Sequence, residues 1–75
     1  MDELNYTINN RDLTIYPPKD DSGQYLIKEE GIEIGHLFID GINEQLNRPY
    51  WKGTTTEVNL YADELGAFIE QCELS

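Results

Sequence analysis

The stretch EGIEIGHLFIDGINEQLN, residues 30–47, decides the fold. Its first half alternates at strand spacing, with Ile32, Ile34 and His36 on one side. Over the longer window Ile34, Leu37, Phe38, Ile42 and Leu46 fall at helical spacing instead. Length favours a helix, and the charges agree: Glu33, Asp40 and Glu44, at i, i+7 and i+11, would share one stripe opposite the apolar residues. Gly35 and Gly41 count against it by about 1 kcal/mol each relative to Ala. The stretch is therefore expected to be a helix with a short extended lead-in at Ile32.

Upstream, the pattern is that of strands. Leu4, Tyr6 and Ile8 alternate with Asn5, Thr7 and Asn9, and Leu13-Thr14-Ile15-Tyr16 follows a turn-rich connector, Asn9-Asn10-Arg11-Asp12. The two segments read as a β-hairpin. Pro17-Pro18 ends it, because proline has no ladder N–H, and residues 19–23 read as an exposed loop. A third strand from Gln24 to Glu29 carries Tyr25 and Ile27 on one face.

Downstream, Asn47-Arg48-Pro49 should break the helix, since the residue before a proline is pushed toward extended backbone. Thr54 to Tyr61 is β-branched and aromatic enough for a strand with Val58 and Leu60 inward. The last element is the clearest: Leu65, Phe68, Ile69 and Cys72 sit at i, i+3, i+4 and i+7, with Asp63 and Glu70 on the far side and Glu64 and Glu73 flanking. Asp63 and Glu64 also suit a helix start, where the macrodipole favours negative charge. The expectation is an α+β fold over residues 1–75, a single small acidic domain. It would hold a small antiparallel sheet of three to four strands with two helices on one face, in the order βββαβα.

Composition bounds the function. The chain has 75 residues, 15 of them Asp or Glu against 5 Lys or Arg, for a formal charge of −10. One domain of this size leaves no room for separate substrate and cofactor domains. A surface this acidic repels phosphate, so direct binding to nucleic acid or an anionic membrane would need a concentrated basic patch. Arg11, Lys19, Lys28, Arg48 and Lys52 are instead scattered singly along the sequence. Neither is expected as a partner. The start, Met1-Asp2-Glu3-Leu4, lacks the features of a signal peptide and no apolar run approaches the roughly 20 residues that span a bilayer, so the expected location is cytoplasmic.

The chemistry of catalysis is thin. His36 is the one histidine and Cys72 the one cysteine, and Cys72 occupies the apolar stripe of the last helix, where a thiol packs as a small hydrophobe. Ser22 and Ser75 have no histidine base at a motif spacing, and Gly31, Gly35 and Gly41 form no phosphate loop. Asp20-Asp21-Ser22-Gly23 begins like a calcium loop, but the position of the bidentate Glu falls on Gly31 or Ile32 according to register. No cofactor or metal is expected, and the chain is expected not to be an enzyme.

The distribution of charge carries the positive argument. Between Lys28 and Arg48 there is no Lys or Arg, while Glu29, Glu30, Glu33, Asp40 and Glu44 are all acidic. From Gly53 onward Glu57, Asp63, Glu64, Glu70 and Glu73 again meet no base. Two acidic helical faces side by side would present a field comparable to that of duplex DNA and attract a basic groove. In size, charge and lack of catalytic groups the chain is similar in kind to phage and mobile-element inhibitors of nucleic-acid-handling machinery, the anti-restriction and anti-CRISPR proteins and other DNA mimics. That class shares no sequence signature and transfers no functional residues.

The function expected is stoichiometric inhibition of a protein with a basic nucleic-acid-binding surface. Glu29, Glu30, Glu33, Asp40, Glu44, Asp63, Glu64, Glu70 and Glu73 would form the contact, with Tyr50 and Trp51 as apolar anchors. The alternative is a small interaction or assembly protein, such as an antitoxin, immunity protein or oligomer subunit. It would use the Tyr50 and Trp51 surface, a homodimer being one form.

Overall fold

A computed structural model describes residues 3–19, 21 and 23–74, with side chains through Cys72. The elements are β1 (Leu4–Ile8), β2 (Arg11–Tyr16), β3 (Tyr25–Glu29), β4 (Ile32–Asn43), β5 (Arg48–Gly53), α1 (Thr56–Leu60) and α2 (Ala62–Leu74). The fold is α+β, with a five-stranded antiparallel meander in the order β1-β2-β3-β4-β5 followed by both helices. Five strands replace the three to four expected, and βββββαα replaces βββαβα.

Both differences trace to two segments. The stretch expected as a helix is a turn followed by β4. Glu30 and Gly31 have φ of 51° and 83°, both in the left-handed region that a two-residue hairpin turn with strand-matched twist requires, so the chain reverses there and returns beside β3. Gly35 and Gly41, at φ of 145° and 103°, hold conformations no helix contains. Both lie where the ladder slips register, Gly35 beside the shift at Ile27/Lys28 and Gly41 within the shift at Ile39/Ile42. They are bulge residues that bend a long strand.

The second correction concerns Thr54 to Tyr61, which is not a strand. Thr55 caps α1, its Oγ1 accepting the Val58 N–H at 3.2 Å, and threonine serves that role as readily as it serves a strand. Val58 is fully buried as expected, but Leu60 points outward at 75% exposed.

One face of the sheet and the inner sides of both helices make the core. Ile8, Leu13, Ile15, Tyr25, Ile27, Leu37 and Trp51 from the strands meet Val58, Ala62, Leu65 and Ile69 from the helices. Each fully buried Leu or Ile among them contributes about 1.5–3 kcal/mol over an exposed position. The stripe read in α2 is present, with Leu65 and Ile69 buried and Phe68 and Cys72 partly so.

The sheet curls around α2, because both of its outer strands reach that helix. From β1, Tyr6 stacks on Phe68 with ring centroids 4.5 Å apart and donates its hydroxyl to Glu64 at 2.8 Å. From β5, the Trp51 ring packs on Gly66, and Arg48 pairs with Glu70. Helix α1 is pinned to the sheet by polar contacts: Thr55 donates to the Ile34 carbonyl at 2.8 Å, and the Asn59 side chain accepts the Gly53 N–H at 3.1 Å. Among the described residues no helix is long and apolar enough to cross a membrane.

Candidate functional site

Four of the six exposed large hydrophobic side chains among the described residues lie at the far end of the β4–β5 hairpin. Ile39 is 49% exposed, Ile42 61%, Leu46 64% and Tyr50 49%. The register places them at that end on two faces: Ile39 and Ile42 share the face of Trp51, while Tyr50, next to Trp51 along β5, lies on the other. Ile39 pairs opposite Trp51 and Ile42 opposite Pro49, with the bulge at Asp40 and Gly41 between, so the strands run past the cover of the helices. The turn itself is held open by Asn43, whose Oδ1 accepts the N–H groups of Gln45 at 3.1 Å and Leu46 at 3.3 Å. This side-chain turn fixes Leu46 at the tip. A shallow depression of about 250 Å³ lies beside it, lined by Asn43, Leu46, Arg48, Pro49, Tyr50 and Asp63.

Carboxylates border these side chains. Asp40 projects from the bulge and pairs with Lys52 at 3.0 Å, both ends of the pair being about half exposed. Glu44 is exposed in the turn, and Asp63 is exposed in the first turn of α2, where its charge suits the helix dipole. Four of the residues singled out in the sequence, Asp40, Glu44, Tyr50 and Asp63, thus come together at one end of the molecule.

The others do not join them. Glu29 faces the helices from β3 and takes a two-point contact from Arg11, at 2.9 Å from Nε and 2.5 Å from Nη2. Arg11 also pairs with Glu57 and lies 5.6 Å from the centroid of the Tyr61 ring. The hydrogen bond from Arg11 holds the Glu29 carboxyl below the usual carboxylate range, against a smaller opposing effect of burial, and Glu29 in turn raises the Arg11 guanidinium. On the Tyr61 phenol, the hydrogen bond from Asn9, then that from Arg11, outweighs burial and lowers its pKa. This cluster joins β2, β3 and α1.

Glu70 and Trp51 are equally occupied. Glu70 accepts from Arg48 Nη2 at 2.9 Å and from the Trp51 indole N–H at 2.9 Å, and the contact with Arg48 depresses its carboxyl despite partial burial. Trp51 is 5% exposed and meets the Tyr25 ring edge-on at 5.7 Å. It plugs the core and is not available as a surface anchor. Glu64 is engaged by Tyr6, whose phenol it pushes up. Glu30 sits in the β3–β4 turn and Glu33 opposite Lys28, at the other end of β4 from Glu44. At about 3.3 Å per residue, Glu33 and Glu44 would lie roughly 35 Å apart on an uncurled strand. The continuous helical stripe of Glu33, Asp40 and Glu44 therefore does not exist. Glu73 lies in α2, and its side chain is outside the described residues.

The sequence reading missed Ile39, Ile42 and Leu46 as surface residues because a helix would have turned Ile42 and Leu46 inward. The signal available was Gly41 beside Asp40, a bulge composition between Ile39 and Ile42. Compared with known proteins, the chain matches no family model, no curated protein and no solved structure.

Proposed function

We propose that the protein is a non-enzymatic acidic binding protein that occludes its target by seating the end of the β4–β5 hairpin on it. The observation that carries this reading is the coincidence of Ile39, Ile42, Leu46 and Tyr50, all about half exposed or more, with Asp40, Glu44 and Asp63 beside them. An apolar cluster supplies affinity once desolvated, and a charged border selects the partner and speeds its approach. With a formal charge of −10 the partner is a basic protein, and a nucleic-acid-binding surface is the kind of basic surface such a charge suits. A phage or mobile-element inhibitor of host defence acts in that way, from the cytoplasm.

The exposed apolar side chains favour one further reading, an assembly protein that uses the same end to bind a second copy or a cognate subunit. The two are separated by capture from host lysate across a salt series, beside light scattering of the purified protein. Inhibition of a basic target expects recovery of a nucleic-acid-binding protein. That recovery should be lost in I42S/L46S, and weakened by salt and by D40K/E44K. A stable dimer of the pure protein, with capture indifferent to salt and to D40K/E44K, would instead establish the assembly role.

A further inference from the structure

The face of the sheet turned away from the helices carries a groove of about 430 Å³. Its floor is one row across three strands, Tyr16 on β2, Leu26 on β3 and His36 on β4, which are mutual partners in the ladder. The β2–β3 connection supplies a wall, Pro17 and Pro18, that is rigid because both φ angles are fixed by the ring. Lys19 stands on the wall, and Lys28 lies on the floor two residues along β3 from Leu26, its ammonium 5.3 Å from the centroid of the Tyr16 ring.

The charge here runs against that of the rest of the molecule. Arg11, Arg48 and Lys52 are each committed to a carboxylate. Lys19 and Lys28 form no ion pair among the described residues, and both line this groove together with the chain's one histidine. Glu33 is the partner of Lys28 across the ladder, and Glu3 lies near Tyr16, at the margins of the groove. Burial, then the charge of Glu3 and the hydrogen bond Glu3 takes from it, push the Tyr16 phenol up, so its ring and not its hydroxyl faces the groove as a free group. A concave site with an apolar floor and a few convergent polar groups is the usual form of a small-molecule site, and the volume lies in the usual range of about 300–1,000 Å³.

We propose that this groove binds a small organic anion, a ring-sized apolar body bearing one carboxylate. The body lies on Leu26 between Tyr16 and the two prolines, and the carboxylate is met by Lys28 and Lys19, with the His36 ring as an additional hydrogen-bonding group. The site is separate from the β4–β5 end and does not depend on its role.

The test is an NMR titration of the isotopically labelled protein with 1-naphthoate, its neutral counterpart 1-naphthalenemethanol, and acetate. Saturable shifts at Tyr16, Leu26, Lys28 and His36 are expected with 1-naphthoate, with Leu46 and Tyr50 unmoved. Affinity for the alcohol, and affinity of K19M/K28M for 1-naphthoate, should each be about tenfold lower, the scale of two partly exposed charge contacts. Acetate should give no saturable shift. The proposal is overturned if the alcohol binds as tightly as the acid, if K19M/K28M binds 1-naphthoate unchanged while its thermal midpoint is preserved, or if the shifts gather at the β4–β5 end. Because both lysines are at the surface, the double variant is expected to keep the parent's melting temperature, which checks that any loss is local.

Discussion

The indole ring of Trp51 occupies the space that a β-carbon at Gly66 would need. Strand β5 and helix α2 approach each other closely at this point only because residue 66 has no side chain. Gly66→Ala would gain helix propensity of about 1 kcal/mol. It would also force the ring, or the helix, out of a packed core, at a cost of about 1–3 kcal/mol or more. The prediction is net destabilisation in urea denaturation, whereas Ala67→Gly, one position along on the exposed side, loses only about 1 kcal/mol through propensity. A Gly66→Ala variant stabilised by about 1 kcal/mol, as propensity alone gives, would refute the packing.

Trp51 and the β4–β5 end differ in what they support. Removing the indole leaves a cavity between β5 and α2, so Trp51→Ala should cost about 3–5 kcal/mol, a large part of what so small a domain has. Ile42→Ser and Leu46→Ser alter side chains already in water, and each should stay within about 0.5 kcal/mol of the parent. Chemical denaturation of the three variants checks this. A large loss from I42S or L46S would show that these side chains are structural, not available for docking.

Glu30 holds a left-handed backbone, φ 51°, at the first position of the turn between β3 and β4. Asparagine tolerates that conformation far better and is the preferred residue before glycine in such turns. Glu30→Asn should therefore stabilise by about 0.5–1 kcal/mol. In a domain of this size that is a rise in melting temperature of about 2–8 °C. A fall would mean that the turn is formed differently.

The Glu70 carboxyl lies below its ordinary pKa of 4.5, chiefly because of its hydrogen bond from Arg48. A carboxylate depressed in the folded state adds stability at pH values above its unfolded pKa, and that contribution disappears as the pH falls through the folded value. The stability gap between the parent and Glu70→Gln should thus be fully present at pH 7 and narrow progressively below about pH 4.5. Taking the difference removes the general charge repulsion common to both proteins. Urea titrations at a series of pH values measure it, and a gap that widened in acid would contradict the assigned contact.

Much of the fold was open to reading from local patterns. Strands β1 to β3 announce themselves by alternation and by the prolines after Tyr16, and α2 by Leu65, Phe68, Ile69 and Cys72. What failed was β4. Ile34, Leu37, Phe38, Ile42 and Leu46 fit a helical period as well as a bent strand, because two bulges break the period of two that would have betrayed the strand. Gly35 and Gly41, which would be defects in a helix, are the residues that permit the bends. Thr54 to Thr56 carried strand propensity, which the capping geometry of Thr55 overrides.

The site was legible only in part, for the same reason. Asp40, Glu44, Tyr50 and Asp63 were found as candidates, but their assembly around Ile42 and Leu46 depends on long-range pairing of β4 with β5. Sequence spacing likewise gave no warning that Glu29 and Glu70 would be taken up by Arg11 and Arg48, which lie 18 and 22 residues away from them.

Tyr6 and Glu64, 58 residues apart, are joined by a hydrogen bond through which the first strand meets the last helix. Until α2 docks, the inner face of the meander has only α1 to cover it, and Trp51 and Tyr6 lack Gly66 and Phe68, the groups they pack on. Closure of the sheet and docking of α2 are thus coupled through these contacts. A nascent chain stalled before residue 62 would be a substrate for chaperones and proteases.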